Sequence, residues 1–188
     1  MLEDNQIYII VDIELNGLNP GKHSILSIGA VASTNDQEVG SFYKKLLPLD
    51  ELSADPETME WWKTQPEAWQ EVQTDPEPAG QVMQAFREWV LSFSKTPVFV
   101  ASPLILDYPF IKWYLQKFGG EDLFEDFTPV QRTLDLASLT AGRLNIPLAR
   151  ARRMQLPPEV TKSMPGHSHK AIDDARGYGV ILRNVLRA

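Results

Sequence analysis

With 188 residues, 43% of them hydrophobic and 23% charged, the chain has the size and balance of one ordinary globular domain with a sizeable core. It has no cysteine, which excludes disulfides and thiolate metal sites and leaves oxygen ligands or the three histidines to hold any metal. The net charge of −7 argues against a protein that grips nucleic acid through a broad basic surface, unless acids bind divalent cations, since two Mg2+ would bring the balance to −3.

The acidic stretch Met1–Gln6 has no basic n-region, and the apolar run Ile7–Val11 is too short for a signal peptide or a membrane span. Both features predict a cytoplasmic protein with no membrane partner. Ile7–Val11 reads as a strand buried on both faces. Asn16-Gly17 and Asn19-Pro20-Gly21 are turn signals, Ile25–Ala32 a second strand and Val39–Leu47 a third, together an antiparallel meander. Asp55-Pro56-Glu57 opens a helical segment carrying Met59, Trp61, Trp62 and Trp69, broken at Pro76 and Pro78. A helix is predicted over Ala79–Phe93, a short buried strand over Pro97–Ala101, and a helix over Pro109–Phe118 that stops at Gly119-Gly120. Leu134–Leu144 reads as a short strand entering a helix. Residues 145–167 read as irregular, and a last helix starts near Lys170 and runs to the end. The order predicts an α/β domain spanning 1–188, with a mixed sheet of five to six strands flanked by helices.

Several acids stand out against this frame. Asp12 and Glu14 share one face at the end of the first strand, after Tyr8 and Ile10. Ionised carboxylates ending a buried apolar face need partners, and a divalent metal is one answer; a strand fraying into solvent is the other. In the last helix, Ala171, Ala175, Tyr178, Ile181, Leu182, Val185 and Leu186 form an apolar stripe that includes Asp174. Asp173 falls on the opposite side near Arg176, Arg183 and Arg187, so it reads as a surface acid and Asp174 as the inward one. Asp107 reads locally as a helix N-cap and gains interest only from its place beyond the end of a buried strand. His169 can reach the Asp174 site only from an irregular loop, and Ser168 is a candidate N-cap. Arg143, Arg150, Arg152 and Arg153 form a basic run that could track a phosphate backbone or be a solvated loop.

Taken together, these residues resemble the DEDD (DnaQ-like) 3′→5′ exonuclease superfamily in its histidine form, DEDDh. Asp12-Ile13-Glu14-Leu15-Asn16 followed by Ile25–Ala30 is similar to the first exonuclease motif, especially in its oligoribonuclease version. Val98–Ala101 through Asp107 resembles the second motif, and His169-x4-Asp174 the third. Glu57–Trp62 resembles a segment of exonucleases near the RNase AS group. The resemblance implies a ribonuclease H-like fold with two Mg2+ or Mn2+ held by Asp12, Glu14, Asp107 and Asp174. It also implies His169 as general base, since an imidazole titrates near neutrality, and release of nucleoside 5′-monophosphates from a single-stranded 3′ end, RNA favoured over DNA. Leu15 would wedge beside the terminal base and Asn16 would also bind substrate. Trp61 or Trp62 would stack on a base or pack in the helix. Several relatives of this size are dimers, so a homodimer is open. The same residues would also fit a non-catalytic nucleic-acid-binding module or a phosphodiesterase acting on small nucleotides.

Overall fold

A computed structural model describes residues 5–118, 123–124, 132–166 and 168–187. Five strands form one sheet in the order β3-β2-β1-β4-β5: β1 Gln6–Leu15, β2 Ile25–Ser33, β3 Glu38–Lys45, β4 Thr96–Ala101 and β5 Thr133–Asp135. The first three strands pair antiparallel, while β1–β4 and β4–β5 pair parallel. The helices are α1 Pro56–Trp62, α2 Pro66–Gln73, α3 Ala79–Leu91, α4 Leu104–Phe118, α5 Leu136–Leu144, the short α6 Pro158–Thr161, and α7 Ala171–Arg187.

Strand alternation sorts β1 onto two cores. Ile7, Ile9, Val11, Ile13 and Leu15 pack with Val82 and Phe86 of α3 and Phe110 and Tyr114 of α4. Tyr8 and Ile10 pack on the other face with Ile172, Ile181, Leu182 and Val185 of α7. Burial on both faces explains why β1 reads as an unbroken apolar run. Among the described residues no helix is long and apolar enough to cross a membrane.

Three elements differ from expectation. The segment after Asp55 is two helices, because Pro66 has no N–H to continue α1 and instead opens α2. The helix before Phe118 begins at Leu104 rather than Pro109, since Asp135 Oδ2 accepts the Leu104 N–H at 3.0 Å and caps it from 31 residues away. The stretch 145–167 contains α6 and two short 3-10 turns, Leu148–Arg150 and Arg153–Gln155. The expected stop at Gly119-Gly120 lies outside the described residues.

Candidate active site

The site forms where β1 outruns its parallel neighbour. β1 pairs with β2 as far as Leu15 but with β4 only as far as Ile10. Asp12 and Glu14 therefore lie in a strand with one edge open, beyond the carboxyl end of the parallel pair, where α/β sheets place ligands. The Ile13 N–H on this stretch donates to Asp107 Oδ1 at 3.2 Å. Asp107, in the first turn of α4 and buried, thus caps a strand rather than its own helix. Opposite Asp12 in β2 stands Gly29, and a Cβ there would lie 2.1 Å from the Ala171 carbonyl carbon. The missing side chain lets the start of α7 rest on the sheet beside Asp12.

That docking brings in the third group. Asp174 is 1% exposed and faces the cluster. Asp173 points outward, 4.0 Å from Arg176, while Arg187 pairs with Asp36. Ser168 does not cap α7: its hydroxyl donates to Asp173 Oδ2 at 3.2 Å, and α7 begins at Ala171. His169 has φ +53°, a left-handed conformation uncommon outside glycine, and this turn points its ring inward. Ligand atoms of Glu14, His169 and Asp174 all lie within 4.8 Å of one another.

The electrostatics show acids crowded without enough cations. Burial, then Asp107, Glu14 and Asp174, push Asp12 well above the usual carboxylate range, with Arg153 offsetting in part. Burial, then Asp174 and Asp107, push Glu14 up to about 9. Burial pushes Asp107 up to about 7 against hydrogen bonds from Ile13 and its own amide. An oxygen-rich set with an imidazole, in which burial and mutual repulsion disfavour ionised Asp12 and Glu14, fits hard divalent ions such as Mg2+ or Mn2+. The pH dependence follows. The folded, metal-free protein keeps protons on Glu14 and Asp107 that the unfolded chain releases near their ordinary values of 4.5 and 3.8. Stability is therefore highest below those values and is lost as pH rises through about 7 and about 9. Thermal melts in EDTA are expected to show Tm falling from pH 5.5 to 8.5, and millimolar Mg2+ to remove most of the fall. A Tm that rises with pH in EDTA would contradict this.

One member of the site is not legible in the sequence. Arg153 is 8% exposed; its Nη1 donates to Asp174 Oδ1 at 2.7 Å and its Nη2 to the Pro165 carbonyl at 2.7 Å. Its guanidinium carbon stands 5.5 Å from the centre of the Tyr178 ring. A Cβ at Gly177 would come within 2.6 Å of the guanidinium. A glycine inside α7 weakens the helix, and that cost was the one available signal of a close approach here.

The residues expected to touch substrate divide in two. A cavity of about 410 Å3 bounded by Glu14 is lined by Leu15, Leu18, Thr58, Trp61 and Leu106. Trp61 is 39% exposed, and its ring lies edge-on to His169 with centroids 5.1 Å apart. Trp62 and Asn16, by contrast, are buried and do not line that cavity. Trp62 is 1% exposed, packs with Leu26 and Val72, and donates its indole N–H to the Leu15 carbonyl at 2.8 Å. Asn16 is buried and its Oδ1 accepts the Ser24 N–H at 2.6 Å, closing the turn after β1. Trp62→Ala is expected to cost about 3–5 kcal/mol of stability and Trp61→Ala only about 1 kcal/mol or less, read by urea titration. Equal costs would refute the division.

Acids and a histidine gather at the end of the first strand of a mixed sheet flanked by helices, and the sequence comparisons place this arrangement in a 3′→5′ exonuclease, a hydrolytic nuclease. The sequence model of the Rv2179c-like 3′-5′ exoribonuclease domain matches residues 7–186, and the chain belongs to that family. It is 30% identical over 186 residues to the 3′-5′ DNA exonuclease Cap18 of Escherichia coli, covering 97% of this chain and 93% of that protein. The fold is shared with the nuclease domain of 3′hExo, a DEDDh family member solved with rAMP bound (TM-score 0.67, 12% identity, 97% of this chain and 90% of that one). It is also shared with a 3′-exonuclease solved for 3′-end recognition of histone mRNA stem-loop (TM-score 0.68, 11% identity, 97% of this chain and 64% of that one).

Proposed function

We propose that residues 1–188 act as one exonuclease domain that removes nucleoside 5′-monophosphates from single-stranded 3′ ends. The observation that carries this reading is the meeting of Glu14, His169 and Asp174 within 4.8 Å, beside Asp12. Asp12, Glu14, Asp107 and Asp174 would hold two Mg2+ or Mn2+ ions. When bound, the ions supply Lewis acidity to the attacking water and to the departing 3′-oxygen. His169 accepts the proton of that water as its oxygen attacks the terminal phosphorus. The bond from phosphorus to the 3′-oxygen breaks, and the 3′-oxygen takes up a proton. Leu15 and Trp61 hold the terminal nucleotide in the cavity beside Glu14, with Trp61 also backing the His169 ring.

RNA is the first reading of the substrate, supported by the family's description as exoribonucleases and by the oligoribonuclease-like first motif. DNA is the second, favoured by the 30% identical relative named as a DNA exonuclease. Side-by-side digestion of matched 5′-labelled RNA and DNA oligomers with Mg2+ or Mn2+ decides between them. Faster shortening of RNA supports the first reading and faster shortening of DNA the second. Shortening of neither overturns the exonuclease proposal. The enzyme is proposed to work in the cytoplasm.

A further inference from the structure

We infer that a second, larger cavity is the subsite for the strand that precedes the terminal nucleotide, an inference that rests on the exonuclease reading. This cavity, about 990 Å3, opens between the turn after β4, the junction of β5 with α5, and the irregular segment 148–155. It shares no lining residue with the 410 Å3 cavity beside Glu14. Glu14 lines the small cavity, whereas Arg153, bound to Asp174, lines the large one together with Tyr178.

A 3′ end whose last phosphodiester lies at the acids has one nucleotide beyond the reacting phosphorus and the rest of the strand before it. The small cavity suits the single nucleotide. The large one lies at the upper end of ligand-site volumes and has room for about two more.

The lining has the chemistry of a nucleotide strand. Residues 143–153 hold four arginines and no acid, in a chain of net charge −7. Arg153 is committed to Asp174, and Arg143 leans on the carbonyls of Val185 and Leu186 at the end of α7. Arg152 is exposed on the cavity wall, available to a phosphate. Asp135, the one carboxylate on that wall, accepts the Leu104 N–H at 3.0 Å and the Ser138 N–H at 2.7 Å, so its charge faces two helix starts. Leu148 is 59% exposed and Met154 80%, and both line the cavity with apolar surface suited to the face of a base. A backbone phosphate at Arg152 and bases against Leu148 and Met154 account for all of these.

The test uses two substrates and the variants Arg152→Ala and Met154→Ala, both at exposed positions where folding is not at risk. The p-nitrophenyl ester of thymidine 5′-monophosphate has the terminal nucleotide and no preceding strand; a single-stranded oligomer has both. KM for the oligomer is expected to rise about tenfold in each variant, and in Arg152→Ala the dependence of log KM on log salt to weaken by about 1. Hydrolysis of the ester is expected to stay within about twofold of wild type, because the ester does not reach the cavity. Unchanged oligomer KM in both variants overturns the subsite, as does an equal loss on the ester. Wild type inactive on both substrates overturns the exonuclease reading itself, and the subsite with it.

Discussion

Asp12→Asn is expected to abolish most exonuclease activity and, in the same protein, to raise the melting temperature of the metal-free form at pH 8. The first effect follows from its proposed share in holding the ions: losing transition-state charge stabilisation of several kcal/mol lowers turnover about a thousandfold or more. The second follows from the crowding. Burial and three neighbouring acids disfavour ionised Asp12 in the metal-free fold, and a neutral amide of the same shape removes that cost. A gain of about 1–2 kcal/mol is in the range of relieved functional sites, and for a chain of this size it moves Tm upward by about 2–8 °C. Asp174→Asn should behave oppositely. It strands the buried Arg153 without its carboxylate, and breaking such a pair costs about 3–5 kcal/mol. Melts in EDTA at pH 8 beside single-turnover digestion of a labelled oligomer read both effects. An active Asp12→Asn, or one that melts lower than wild type, would refute this account of the cluster.

The second large effect is at His169. His169→Asn keeps a residue that tolerates the left-handed backbone at this position, so the helix start and the loop should hold. It removes the ring nitrogen that meets Glu14 and Asp174. As proton acceptor, His169 contributes about 10²–10⁴-fold to kcat, with little effect on KM. The variant is expected to lose that factor and also the acid limb of the wild-type pH–rate profile. A variant within threefold of wild-type kcat at pH 7–8 would remove His169 from the base role and leave it as a metal-side or packing group beside Trp61.

Much of this arrangement was legible from residue order alone. The unbroken apolar run of β1 announced a strand buried on both faces, and helical phase separated inward Asp174 from outward Asp173. Those features are local, set by periods of two and 3.6 residues. The features that were not legible depend on contacts distant in the chain. Asp107 reads as an ordinary cap until β4 is seen to end early and leave the Ile13 N–H open. The start of α4 depends on a cap from Asp135, in a strand that follows it. Arg153 looks like one more member of a solvated basic run, and only the hollow at Gly177 brings it inside. Trp61 and Trp62 are adjacent and of one type. The step of about 100° between neighbours on a helix sends the first toward His169 and the second into the core.

The claim on which the rest depends is that Asp12, Glu14, Asp107 and Asp174 hold divalent ions. The most direct test is a crystal soaked in Mn2+ with a nucleoside 5′-monophosphate, read by anomalous scattering. The expected result is two peaks about 3.5–4 Å apart, both at coordination distance from Asp12 and with the phosphate against them. No peak at Asp12, or manganese bound only elsewhere on the molecule, would contradict it.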